Sequence, residues 1–520
     1  MKKISLLLIL SLAATLAVKA QKLPGTADSS FNGNGFSLIP AQEKSSTLVT
    51  GYLDTAGKPI LIGGSQNLQF KWSIGSTRIN TDGKLDLSYK NNGYGLIDFD
   101  PESNESEYDA FVTSDGGVLH AAAYHGPNGL DMMIYKTSIN GTFDLNYGLS
   151  GFWKQEIDPG YERPIKIIED QNGFTLVLGE IPFGPKTIYL ARFFPYGGLD
   201  SSFGVDGKVL LKPLNESNNA VALIERPQGG YYIICNTDPS GNGKVTVMSI
   251  SKNGNYNIDL GGPGEIQFQY NKLSTRATSV KYLNGSLIIA GEYDSPQGNT
   301  DGFITRLEMD GTINTTFNQT GFNFIRRSFD NPADEEVRDM IISEDSSIFV
   351  ISVSTLDSNL LIISRFQSDG NVYGQFGNIG GHHHTYLPGS GLANSGIGKL
   401  LLDEEKERLY LLGHPSQFNQ GVFAYAVYTG KFAEKGGPSS IKGASKLALR
   451  LYPNPANQSV RLDLPIEELT VEVFSLQGQR IAQYKNINQF DVSVYTNGTY
   501  FVVAHSAGAV YSSRLQIINH

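Results

Sequence analysis

The chain has 520 residues, 41 of them basic and 51 acidic, for a formal net charge of −10. No block of lysine or arginine stands out, which argues against a surface that tracks nucleic-acid phosphates. The length suffices for more than one core. With 58 glycines, 27 phenylalanines and 26 tyrosines and no long amphipathic helical pattern, the composition favours many short strands.

Residues 1–20 read as a secretory signal peptide. Lys2 and Lys3 precede an apolar stretch from Ile4 to Val18, and Val18-Lys19-Ala20 offers small residues at the −3 and −1 positions of a cut before Gln21. No later apolar run reaches the ~18 residues that cross a bilayer, so no transmembrane segment is expected in the mature chain. No cysteine follows the cut, which disfavours a lipid anchor.

From residue 21 to 432 a repeat dominates. The cluster Asp200-Ser-Ser-Phe203-Gly-Val-Asp-Gly207 recurs seven times, with its aromatic or apolar anchor at Phe31, Tyr89, Tyr147, Phe203, Leu260, Phe317 and Phe376. Successive anchors lie 58, 58, 56, 57, 57 and 59 residues apart, and a glycine follows each anchor four positions later. Chance does not hold such a phase.

Each unit carries four strand-like segments. A first follows the anchor glycine, as in Lys208–Lys212, and a second falls near Ala220–Ile224. The third is the most apolar, as in Gly173–Gly179 or Gly285–Gly291, and reads as covered on both faces. The fourth, as in Ile188–Phe193, is more mixed and reads as half-covered. Tight turns then occur at Asp82-Gly83, Asn140-Gly141, Tyr196-Gly197, Asn253-Gly254, Asp310-Gly311 and Asp369-Gly370. Such dipeptides supply the positive φ of hairpin turns. Six residues always separate the turn glycine from the next anchor, which predicts a rigid corner.

Four strands per ~57-residue unit describe a β-propeller of seven blades, with a linear β-solenoid as the alternative. Leu199–Lys208, with Ala191-Arg192-Phe193 upstream, resembles the delta-60 repeat of secreted bacterial proteins. That resemblance spans residues 25–432, implies the propeller architecture and implies no reaction.

Residues 433–446 form a Gly/Ser/Pro/Lys-rich linker. Residues 447–520 then read as a small immunoglobulin-like β-sandwich, with strands expected at Ser459–Leu464, Leu469–Ser475, Gln479–Tyr484, Phe490–Val494, Thr499–Ala504 and Val510–Ile518. Leu451-Tyr-Pro-Asn-Pro-Ala456, Val473–Gln479, Asn497–Val503 and Ser513–Ile517 resemble the type IX secretion sorting domain. Arg514 stands where a lysine is common. The resemblance implies that an outer-membrane translocon reads this module. It also implies removal of the module, leaving the cargo on surface lipopolysaccharide or released.

Candidate chemistry is sparse. Cys235, the only cysteine, sits in the apolar run Tyr231–Cys235 and is expected to be a buried, inert thiol. His382-His383-His384 is expected on a solvent-exposed loop, because consecutive strand residues face opposite ways and rarely converge on one ion. A basic residue stands five before the turn glycine at Arg78, Lys136, Arg192, Arg306 and Arg365, with Ser249 and Tyr425 in the remaining units. An acid follows eight residues later at Asp86, Asp144 and Asp200, and neutral Ser249 is matched by neutral Asn257, whereas Asn314 and Tyr373, after Arg306 and Arg365, break the pattern. These pairs are expected to pin the anchor corner; the alternative is a cation ring around the central channel.

No catalytic, metal or cofactor-binding residue is assigned, and no cofactor is expected. The expected role is a secreted or cell-surface binding or scaffold protein that engages an extracellular glycan or protein. The competing reading is a surface polysaccharide hydrolase or lyase with its site in the propeller channel.

Overall fold

A computed structural model describes residues 22–518 except 101, 127–128, 156, 158–160, 183–186, 212–217, 238–241, 257–259, 261–263, 326–333, 355–359, 378–380, 387–395, 416–420, 431, 433–446, 450, 463, 465, 467–468, 475–479 and 507–508. The signal-peptide reading of residues 1–20, the linker 433–446 and Asn257 fall outside the described residues. The chain divides into two compact units at Ala433/Glu434. It is all-β, and among the described residues the one helical element is a 3₁₀ turn at Phe317–Gln319.

The first unit contains seven antiparallel sheets of four or five strands. Numbered in chain order, and setting aside the two-residue Ser45–Ser46 ahead of Thr50 and the N-terminal strands that join the seventh sheet, their first strands are Thr50–Leu53, Asn104–Val112, Arg163–Glu169, Asn218–Glu225, Thr275–Leu283, Glu335–Ile342 and Gly396–Asp403. Each first strand contacts the next, and Gly396–Asp403 contacts Thr50–Leu53. The strand after each anchor glycine does not open a sheet. Lys208–Leu211, for example, pairs with Thr187–Phe193 and completes the third sheet. The seventh sheet is completed in the same way from the other end of the unit: Phe36–Ile39 and Thr26–Ala27 both pair with Val422–Tyr428.

The core lies between sheets rather than within one. Leu119, Met132 and Ile134 of the second sheet pack on Val177 and Tyr189 of the third. Phe349 and Ile363 of the sixth pack on Leu411 and Phe423 of the seventh. Tyr410 and Leu412 of the seventh pack on Leu61 and Ile79 near the first. Burying each such side chain contributes roughly 1.5–3 kcal/mol. The expectation of half-covered fourth segments does not hold: Thr187–Phe193 and Leu360–Phe366 are buried at every residue. Neighbouring sheets cover both of their faces.

All seven anchors are buried. The residue after an anchor donates its N–H to the turn of the following sheet: Asn32 to Asp82 O, Gly148 to Tyr196 O, Gly204 to Asn253 O and Asn318 to Asp369 O. Gly377 likewise reaches Pro24 O, on the N-terminal segment that completes the seventh sheet. The turn glycine therefore has two reasons to be glycine. Gly254 has φ +89°, and a Cβ there would stand 2.7 Å from Gly204 N.

In the second unit a five-stranded sheet and a three-stranded sheet enclose Val460, Leu462, Val471, Val473, Val502 and Leu515. Its strands include Ser459–Leu462, Thr470–Phe474, Arg480–Lys485, Gln489–Asp491, Gly498–Ser506 and Ala509–Ile517. The fourth of these is shorter than the expected Phe490–Val494; Val494 is exposed.

Candidate functional site: the central cavity

The seven first strands surround a cavity of about 440 Å³. Six of them carry a register shift against their neighbour in the same sheet, at Glu107/Asp109, Pro164/Lys166, Ala220/Ala222, Ala277/Ser279, Val337/Asp339 and Ile397/Lys399. A β-bulge bends its strand and re-aims the following side chain. The residues just after the bulge are Asp109, Lys166, Ala222, Ser279, Asp339 and Lys399, and all six line the cavity. Lys281 joins them.

The two aspartates are tied to neighbouring strands. Asp109 Oδ2 accepts the Ile167 N–H at 3.2 Å, and its other oxygen lies 3.9 Å from Lys166 Nζ. Asp339 accepts N–H groups from Leu400 at 2.9 Å and Met340 at 2.8 Å, and the Ser279 hydroxyl at 3.1 Å. Burial opposes charge on Asp339, but Lys399, Lys281 and those amides outweigh it and hold the carboxyl below its ordinary range. Burial pulls the Lys281 ammonium below the usual lysine value, aided by the Lys399 and Lys166 charges and opposed by Asp339. Lys399 moves the other way, since the Asp339 and Asp109 carboxylates overcome its burial.

Other acids at the inner strands have fastening roles. Glu169, Glu225 and Glu404 accept the N–H groups of Ser114, Gln171 and Glu344, each in the β-turn of the preceding sheet. Glu107 is fully enclosed by His120 Nδ1 at 2.8 Å and the Tyr135 hydroxyl at 2.8 Å. It does not line the central cavity.

None of the five repeat cations lines the cavity. Arg78 and Arg192 hold Asp86 and Asp200 at 2.8 Å through Nε, as the spacing predicts. Lys136 instead pairs with Asp115 at 2.6 Å, and Asp144 accepts the Asn146 N–H. Arg306 donates to the Ser286 hydroxyl, and Arg365 to the Ser347 hydroxyl and Thr429 O. The seventh unit corrects the sequence assignment of Tyr425. Its backbone slot is Ala426, which bonds Gly35 and Asp28, and the guanidinium comes from Arg408 on the adjacent strand. The cations pin corners.

The histidine triplet is also corrected. His382–Tyr386 is a strand paired with Leu360–Phe366, and His383 is buried with Nε2 3.0 Å from the Tyr425 hydroxyl. Burial lowers the His382 and His383 values to about 4. Cys235 is buried, and burial pushes its thiol up, with Glu265 and Glu180 adding to it. Among the described residues no group of three His, Cys, Asp or Glu side chains is placed to hold a metal ion.

Sequence reasoning missed the cavity residues. The signal was present, because Asp109, Lys166, Ser279, Asp339 and Lys399 occupy one equivalent place per repeat. The bulge that turns that place inward is not visible in an apolar/polar pattern.

Residues 450–518 match the secretion system C-terminal sorting domain, and residues 284–317 match a β-propeller domain of unknown function, DUF5122. Both resemblances read from the sequence are thereby borne out. The chain is exported through type IX secretion to the cell surface or extracellular space. No helix among the described residues is long and apolar enough to cross a membrane. No curated protein matches the chain in sequence.

Similar solved structures include an extracellular domain of a hybrid two-component system from B. thetaiotaomicron, 12% identical with a TM-score of 0.38. That match covers 96% of this chain and 59% of the other, so the chain spans under two thirds of that relative's length. Others are the β-propeller domain of the Trilobed protease from Pyrococcus furiosus and the polysaccharide lyase Uly1. The first is 9% identical with a TM-score of 0.37, covering 75% of this chain and 100% of that one. The lyase is 10% identical with a TM-score of 0.40, covering 80% and 94%. Likeness at these levels carries no functional argument.

Proposed function

We propose that this chain is a surface-displayed or released binding protein. Its seven sheets form a seven-bladed propeller over residues 21–432, and an immunoglobulin-like sorting module over residues 447–520 delivers it. On this reading residues 1–20 are a signal peptide and 433–446 a linker. Seven inter-sheet cores and the pairing of Phe36–Ile39 with Val422–Tyr428 support the ring. The sorting-domain match supports recognition of the module by the outer-membrane translocon.

One observation favours binding over catalysis. Asp339, a cavity carboxylate, is committed to two amides and a hydroxyl and is held in its charged form. A general acid needs the opposite, a carboxyl pushed up towards neutrality; Glu225, the lining carboxyl that burial does raise, is held by the Gln171 N–H of the preceding sheet. The ligand is an extracellular glycan or protein.

The test is a glycan and protein binding screen with the full chain from Gln21, followed by a product assay on every glycan retained. Retention without turnover supports the proposal. Release of shortened or unsaturated products would replace it with the hydrolase or lyase reading.

A further inference from the structure

Lys166, Lys281 and Lys399 meet Asp109 and Asp339 in the central cavity, whose lining also includes Glu169, Glu225 and Arg338, so opposite charges are balanced in number but not paired one to one. Asp109 and Asp339 are each engaged by backbone amides of their own or the following first strand. Among the described residues, no carboxylate oxygen lies within 4.0 Å of Nζ of Lys281 or Lys399, and neither ammonium donates a hydrogen bond. The Asp339 and Asp109 carboxylates act on these ammonium groups only at longer range, and ammonium groups in a partly desolvated space without a direct hydrogen bond retain donors that a ligand can use.

The space is larger than a bare ion requires. A volume near 440 Å³ falls within the roughly 300–1,000 Å³ of small-molecule sites. Its walls add Val221, Leu223, Val280, Tyr108 and Tyr282, apolar and aromatic surface of the kind that covers a ring face. Thr50, Thr278 and Ser279 supply hydroxyls.

We infer that the cavity binds a small acidic sugar, its carboxylate received by Lys281 and Lys399 and its ring covered by the apolar wall. This inference rests on the binding reading above and names the ligand class of that same site. A free sugar acid and the acidic end of a polysaccharide share this chemistry.

The experiment is isothermal titration of the full mature chain at constant ionic strength with sodium glucuronate, sodium sulfate and glucose. An oligosaccharide ending in glucuronate separates the polymer end from the free acid. Glucuronate binds saturably, sulfate at least tenfold more weakly, and glucose not at all. Lys281→Met weakens glucuronate at least tenfold, yet its melting temperature equals or exceeds that of the wild type. That combination is the signature of a cation kept for a ligand, since a merely structural lysine would lower the melting temperature on removal. Should Lys281→Met not fold, Lys399→Gln and the wild-type titrations carry the same test. Sulfate as tight as glucuronate, glucuronate binding that survives both variants, or no anion binding above the chloride background would each overturn the inference. Retention of some other glycan in the screen would then leave the binding reading standing without this site.

Discussion

Arg408 Nε donates to Asp28 Oδ2 at 2.7 Å, joining two residues 380 positions apart. The same guanidinium donates to Thr81 O, in the turn of the first sheet, at 2.7 Å. One side chain thus links the N-terminal segment, the seventh sheet and the first. Burial alone would raise the Asp28 carboxyl, but Lys22, Ser30 and Arg408 together hold it well below the carboxylate range.

Removing one partner of this buried pair leaves the other uncompensated. Arg408→Ala is expected to destabilise the first unit by about 3–5 kcal/mol, read as a lower urea midpoint. Arg306→Ala removes a more exposed cation, whose Nε donates to the Ser286 hydroxyl and lies 3.4 Å from the partly exposed Glu308 carboxylate, and costs less. Equal losses would refute the closing role of Arg408.

Turn glycines should separate by neighbour rather than by φ. Gly254→Ala places a methyl against Gly204 N of the adjoining sheet, whereas Gly285, at φ +88°, has nothing within 4 Å. Gly285→Ala is expected to cost about 1–2 kcal/mol of left-handed strain and Gly254→Ala clearly more. Thermal denaturation of the two variants gives the comparison, and a matched loss would remove the inter-sheet contact from the account.

Acid should loosen the corners. Asp28, Asp86 and Asp200 are all lowered, in each case by side-chain and backbone hydrogen bonds and an arginine that outweigh burial. A lowered folded value contributes stability fully present above the unfolded value of about 3.9 and lost as pH falls towards the folded one. The urea midpoint is therefore expected to drop below about pH 4, and the triple variant Asp28→Asn, Asp86→Asn, Asp200→Asn to flatten that drop. An unchanged acid limb in the triple variant would contradict this.

Export should follow the integrity of the sorting module. Val471 is fully buried in its five-stranded sheet, and Val494 is exposed. Val471→Asp buries a charge, unfolds the module and leaves the protein inside the outer membrane; Val494→Asp is delivered normally. Cell fractionation reads both, and surface delivery of Val471→Asp would detach export from this fold.

The fixed anchor-to-turn spacing was legible because it records a local corner, and the corner is where adjoining sheets touch. Sheet membership was not. Whether Lys208–Leu211 opens one sheet or closes another depends on a partner strand that no local pattern names. The Arg192–Asp200 pair was readable because both members lie in one unit. Arg408–Asp28 was hidden because its members come from opposite ends of the repeat region and Arg408 occupies the neighbouring strand. The cavity charges were hidden by the bulges that aim them.

A cross-link between Thr26 and Tyr428 tests ring closure most directly. These two are antiparallel partners, and such pairs lie about 4.5–5.5 Å apart at Cα, within disulfide reach. Because Cys235 is buried, Thr26→Cys with Tyr428→Cys adds the two accessible thiols. Mild oxidation of the monomer is expected to consume both thiols within one chain and raise the melting temperature. Thiols that stay free, or that link only different molecules, would show that the N-terminal segment does not complete the seventh sheet.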